Sequence, residues 1–142
     1  MRTRKREQTG EVYVRVRLSN AIDLAMVEKG LLEKDKVRTC EVDALVDTGC
    51  TKSMLPVDLA TQLGVSTSRQ ITGRLADGNL VTVGATDPIL FEILGREARE
   101  DAYVSGNEVL IGQTVLESTD LLVDCKSQKV IPKHPEGPIF RL

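Results

Sequence analysis

The chain has 142 residues, and 19 Lys and Arg stand against 21 Asp and Glu for a net charge of −2. That length suits one domain, since single cores hold roughly 100–200 residues, and it is too short for a two-lobed enzyme with duplicated halves. The near-neutral balance argues against nucleic acid as a partner, and no apolar run nears the roughly 18–20 residues that cross a bilayer.

Four aromatics, Tyr13, Tyr103, Phe91 and Phe140, are too few for a base-stacking platform. The three cysteines, Cys40, Cys50 and Cys125, form no CxxC pair, which reads as reduced thiols in a cytoplasmic protein. His134 is the only histidine and no ligand spacing surrounds it, so no zinc site is expected. The basic start, Met1 to Arg6, runs into Glu7-Gln8-Thr9-Gly10 rather than an apolar stretch, so no secretory leader is indicated. Residues 1–10 read as a disordered basic tail and 11–142 as a single domain.

In chain order, Glu11–Leu18 alternates with period two, placing Val12, Val14, Val16 and Leu18 on one face and Arg15 and Arg17 on the other. Ser19-Asn20 is expected to break this strand. Ala21–Lys36 fits no single period and reads as a solvent-facing excursion. A β-rich stretch from Val37 to Val46 ends in the apolar run Ala44-Leu45-Val46 and halts at Asp47-Thr48-Gly49. Pro56 and Gly64 bracket a short helix over Pro56–Leu63, with Val57, Leu59, Ala60 and Leu63 as its apolar stripe.

Strands follow at Gln70–Leu75 and Leu80–Gly84, and the intervening Ala76-Asp77-Gly78-Asn79 predicts a type I′ hairpin. Further strands are expected at Pro88–Ile93 and Ala102–Val104. A buried run follows at Val109–Gly112, then a short helix over Gln113–Glu117. Strands at Leu121–Asp124 and Lys129–Ile131 close the pattern, and the Pro-rich end should leave His134 in solvent. Many short strands with a turn every ten residues or so describe an all-β barrel or sandwich.

The strongest chemical signal is Ala44-Leu45-Val46-Asp47-Thr48-Gly49-Cys50. An apolar strand delivers a carboxyl to its tip, where apolar neighbours suit it to acid–base work. A small hydroxyl residue and a glycine follow at once. The bland alternative is an ordinary turn in which Asp47 bonds its own backbone. A second glycine-ended apolar run, Val109-Leu110-Ile111-Gly112, favours the functional reading. Ile71, Leu75, Leu80, Val81, Val83, Ile89, Leu90 and Ile93 are expected chiefly in the core, with a few lining a cleft.

From about Val12 to Ile131 these features resemble the retropepsin-like aspartic proteases, single-domain relatives of pepsin. Ala44–Gly49 looks like the family's catalytic loop, Leu75–Val81 lies where its flap hairpin falls, and Val109–Gly112 resembles the strand behind the loop, ahead of the short C-terminal helix. The resemblance implies an acid-protease barrel with one lobe per chain and an aspartic endopeptidase without cofactor. Asp47, Thr48 and Gly49 would be catalytic, and Ala76, Asp77, Gly78 and Asn79 would fold over an extended peptide substrate. Since no other Asp is followed by Thr/Ser-Gly, the second carboxylate must come from another copy in a C2 homodimer, with the Thr48 hydroxyls bracing the loops.

The chain also departs from the family. Cys50 stands where alanine or serine is usual, Gln113 replaces the arginine of the viral enzymes, and the flap has one glycine. The rival readings are a catalytically weak or inactive module for dimerisation or peptide binding, and an unrelated barrel with a chance Asp-Thr-Gly.

Overall fold

The computed structural model describes residues 10–142; the expected basic tail, but for Gly10, lies outside them. Strand β1 (Val12–Asn20) is antiparallel to β2 (Thr39–Val46) with Val12 opposite Val46. Alternation works as read. Val12, Val16 and Leu18 are buried, while Arg15 and Arg17 are exposed.

Asn20 does not break the strand. It is the buried last residue of β1 and the cap of helix α1 (Ala21–Glu28), its Oδ1 accepting the Asp23 N–H at 3.0 Å and its Nδ2 donating to the Leu63 carbonyl at 2.9 Å. The first part of the expected excursion is thus a stapled helix, whereas the rest, through the 3-10 turn at Lys34–Lys36, faces solvent as read. Asp23 is buried, and its carboxylate takes the Arg38 guanidinium through two bonds of 2.9 Å and the Arg38 N–H at 3.0 Å. The Arg38 bonds outweigh burial and hold the Asp23 carboxyl below its ordinary pKa. No apolar period marks the helix because an ion pair between the buried Asp23 and the half-exposed Arg38 anchors it, with Ile22 left exposed.

After β3 (Met54–Leu55), helix α2 (Val57–Leu63) starts behind Pro56 and stops at Gly64. Ala60 and Leu63 are buried, but Val57, expected in the same stripe, faces solvent at the first turn. Strands β4 (Arg69–Arg74) and β5 (Leu80–Ala85) form the expected hairpin. Its turn is not type I′, because only Gly78 has a positive φ, +89°. Gly78 N–H donates to the Leu75 carbonyl and Leu75 N–H to the Asn79 carbonyl, the pattern of a three-residue loop with a left-handed glycine. The Asp77 carboxylate accepts the Asn79 N–H at 2.9 Å and its side-chain amide at 3.0 Å, bracing that turn.

Strand β6 (Ile89–Ile93) pairs with β7 (Arg96–Glu100), a strand absent from the sequence reading. Its sequence, Arg-Glu-Ala-Arg-Glu, hides an alternation in which Arg96 and Ala98 are buried and Glu97 and Arg99 are exposed. The connecting turn places Leu94 and Gly95 at positive φ, and leucine is no signal for that geometry. Strands β8 (Tyr103–Val104) and β9 (Leu110–Ile111), helix α3 (Gln113–Ser118), and β10 (Leu121–Asp124) paired with β11 (Lys129–Pro132) complete the chain.

Nine strands form one sheet in the order β4-β5-β8-β3-β9-β2-β1-β6-β7, and β10-β11 form a second. The all-β class holds, but the large sheet is open, with β4 and β7 as its edges. Its core contains Phe91, Leu18, Leu55, Leu63, Ile93 and Ile111, all fully buried. His134, expected in solvent, is half-buried. Its Nδ1 lies 2.6 Å from Asp120 Oδ2 and its carbonyl accepts from the buried Arg96. These contacts secure the Pro-rich end against α3 and β10.

Candidate active site

Strand β2 carries Asp47 to its position. Leu45 and Val46 pair in parallel with Leu110 and Ile111 of β9, and the Asp47 N–H continues this ladder by donating to the Ile111 carbonyl at 2.9 Å. Past the strand the chain turns back upon the carboxylate. Gly49 N–H donates to Asp47 Oδ1 at 3.0 Å, Cys50 Sγ donates to Oδ2 at 3.3 Å, and Cys50 N–H donates to the Asp47 carbonyl at 3.1 Å. Both carboxylate oxygens are thereby oriented by the loop, and Asp47 is half-buried.

A second set of bonds fixes the loop from behind. Gln113 N–H donates to the Cys50 carbonyl at 2.8 Å, and Thr114 N–H to that of Thr51 at 3.0 Å. Gly112 N–H donates to Oγ of the fully buried Ser53 at 2.9 Å. This closeness explains Gly112: a Cβ there would stand 2.5 Å from the Lys52 carbonyl carbon and 2.8 Å from the Thr51 carbonyl oxygen. The chain orders of β9 and of the loop give no hint of such an approach. Only the glycine at the end of an apolar run signals it.

Beside the loop lies a cavity of about 550 Å³. Gly49, Cys50 and Lys52 form one wall, Met54 and Tyr103 another, and the β4-β5 hairpin covers it with Ile71, Val81 and Val83. The apolar set therefore divides: Ile89, Leu90 and Ile93 are core, whereas Ile71, Leu75, Val81 and Val83 line the cavity, and Leu80 is exposed. The hairpin tip, Ala76 to Asn79, is exposed and outside that lining. Thr48 faces elsewhere, into a hollow of about 310 Å³ bounded by Gln113, Leu116, Leu122 and Cys125.

Beside the cavity Lys52 and Arg69 converge on Asp101, while Arg74, which also lines it, donates to the Gly78 carbonyl at 3.0 Å. Lys52 Nζ lies 2.6 Å from Asp101 Oδ1 and 4.0 Å from Glu100, and Arg69 reaches Asp101 Oδ2 at 3.1 Å. Burial works to lower the Lys52 pKa and to raise that of Asp101, but the bonds between them, with Arg69 added, reverse both directions. Burial pushes the Cys50 thiol up, and its bond to Asp47 adds to the effect. Among the described residues, no group of three or more His, Cys, Asp or Glu is placed to hold a metal ion. Nor, among the same residues, is any helix long and apolar enough to cross a membrane.

An open all-β sheet with a buttressed Asp-Thr-Gly loop and an overhanging hairpin defines a single-lobed, retropepsin-like domain. The chain belongs to the aspartyl protease family, whose family model matches residues 35–124. Among solved structures it is similar to the retroviral protease-like domain of Ddi1 from Leishmania major. That match has 16% identity and a TM-score of 0.52, and covers 86% of this chain and 87% of that one. It is also similar to the EIAV protease complexed with the inhibitor HBY-793, at 22% identity and a TM-score of 0.43 over 54% of this chain and 75% of that one. No curated protein matches.

Proposed function

We propose that the chain is an aspartic endopeptidase that works as a C2 homodimer, with one Asp47 from each copy. The observation that carries this reading is the carboxylate itself, oriented through both oxygens by Gly49 and Cys50 beside a cavity large enough for a substrate side chain. The chain has one Asp-Thr-Gly, so the dyad requires a second copy. The exposed Thr48, with the exposed Leu122 beside its hollow, supports a contact on that face.

In the dimer the two Asp47 carboxyls share one proton, since like charges about 3 Å apart do not both ionise. The ionised carboxylate takes a proton from water as the water oxygen bonds to the scissile carbonyl carbon. The protonated carboxyl gives its proton to the carbonyl oxygen. In the collapse of this tetrahedral adduct the C–N bond breaks as the nitrogen takes the proton that the first carboxylate had accepted from water. One hydroxyl of the adduct returns its proton to the other carboxylate, which leaves an acid, an amine and the dyad as it began. Thr48 braces the paired loops, and Ala76, Asp77, Gly78 and Asn79 fold over an extended peptide. The catalytic domain is residues 11–142. Cys40, Cys50 and Cys125, all unpaired, support a reducing, cytoplasmic setting.

The test compares cleavage of a random peptide library by wild type and Asp47→Asn over pH 4–7, with and without a statine-type inhibitor. Cleavage only by the uninhibited wild type is expected. No cleavage above the mutant, at concentrations where sedimentation shows a dimer, would refute the reading, as would a monomer at every concentration.

A further inference from the structure

Gly73 sits in the middle of β4, opposite Val81 of β5, and nothing within the chain accounts for its being glycine. Its φ is not in the positive range, so the backbone does not demand it, and a Cβ at this position would meet no atom within 4 Å. Gly112 is the useful contrast, since there a Cβ would strike backbone at 2.5 Å. Glycine within a strand carries an entropic cost and forfeits cross-strand packing, and one common reason for it is close approach by a ligand or another chain.

The empty position opens onto the cavity beside Asp47. Strand alternation sets Ile71 and Gly73, with their partners Val83 and Val81, on the cavity side of the hairpin, and all four line it. Thr72 and its partner Thr82 lie on the opposite side, joined by their hydroxyls at 2.8 Å. On the other wall, Lys52 already has its charge met by Asp101 and Glu100, and Arg74, the other cation of the lining, is turned to the Gly78 carbonyl at 3.0 Å, so a side chain under the hairpin meets chiefly the apolar Ile71, Val81 and Val83.

We propose that Gly73 is a specificity-determining residue: the side chain it lacks leaves room under the hairpin for a large uncharged side chain, aliphatic or aromatic, of the bound peptide. This rests on the peptidase reading of Asp47, and deepens it by naming the residue that sets the size of one subsite. Replacing Gly73 with valine fills the space and leaves only small side chains accommodated. Valine suits a strand better than glycine, so the hairpin should persist.

The experiment reads the library cleavage profiles of wild type, Gly73→Ala, Gly73→Val and, as an outward-facing control, Thr72→Val, with folding checked by circular dichroism. Gly73→Val should lower the ratio of kcat/KM for substrates with Phe or Leu over those with Ala, at one substrate position, by at least 10-fold. Gly73→Ala should shift it less, and Thr72→Val should leave it alone. In parallel, labelled peptides carrying Phe, Leu or Ala are titrated against Asp47→Asn with and without Gly73→Val. If wild type cleaves nothing yet Gly73→Val abolishes binding of the Phe and Leu peptides alone, the subsite stands and the peptidase reading fails. Unchanged selectivity in both arms, or no peptide binding, overturns the subsite. So does a Gly73→Val variant whose only change, in sedimentation, is its self-association, for the space would then belong to a second copy.

Discussion

Gly112→Ala offers a direct test of how the Asp-Thr-Gly loop is held. The new Cβ would stand 2.5 Å from the Lys52 carbonyl carbon, 2.6 Å from the Lys52 carbonyl oxygen and 2.8 Å from the Thr51 carbonyl oxygen. Ordinary carbon contacts begin at about 3.5 Å, so the loop and the start of α3 must part by about 1 Å. Both sides of that contact are backbone, which leaves no flexible side chain to absorb the change. Parting them strains or breaks three hydrogen bonds: Gly112 N–H to Ser53 Oγ, Gln113 N–H to the Cys50 carbonyl and Thr114 N–H to the Thr51 carbonyl. At roughly 1 kcal/mol net for each, the loss is about 3 kcal/mol. The assay is urea unfolding at fixed protein concentration, because dimerisation would couple to stability. The midpoint should fall with an unchanged slope. Peptide cleavage should fall more steeply, since a displacement near 1 Å at a reacting group costs about 100-fold. A variant that unfolds at the wild-type midpoint would refute the account of Gly112 as a steric requirement.

Two further outcomes follow from the electrostatics. The Asp23 carboxyl is held below its ordinary pKa by Arg38, so the pair stabilises the fold fully above the unfolded value of about 3.9 and loses that contribution as the pH falls through the folded value. Arg38→Ala should therefore unfold more easily than wild type at pH 7, with the gap closing below about pH 4; a gap unchanged down to pH 2 would refute the coupling. The Cys50 thiol is pushed up first by burial and then by Asp47, so Asp47→Asn should increase its alkylation rate by iodoacetamide at a fixed, mildly alkaline pH. Equal rates in the two proteins would show that the 3.3 Å contact does not govern the thiol.

Much of the strand framework is legible from local pattern. Val12, Val16 and Leu18 alternate with arginines because β1 has one buried and one solvated face, and Ala44-Leu45-Val46 is apolar because β2 runs between β1 and β9. The failures have a common cause. Asn20, α1 and His134 escape local pattern because each is secured by a distant polar partner, namely Leu63, Arg38 and Asp120. Strand β7 leaves no periodic signal because Arg96, buried against the carbonyls of Thr119 and Asp120, counts as polar in any periodicity. Gly73 is conspicuous only when its open side is seen to face the cavity.

Length and a lone Asp-Thr-Gly are properties of the sequence by itself, and from them comes the expectation of one lobe with one candidate carboxylate. The order of apolar strand, motif and glycine-ended run likewise follows from local patterning, which depends on neighbours two to four residues away. Tertiary structure decided what lies around that carboxylate: the donors of Gly49 and Cys50, the contact of Gly112 with Lys52, the balanced Lys52–Asp101 pair and the roof of Ile71, Val81 and Val83. The physical reason is range. Alternation and turn chemistry act along the chain, whereas steric fit and charge pairing act through space, between segments that only the completed sheet brings into contact.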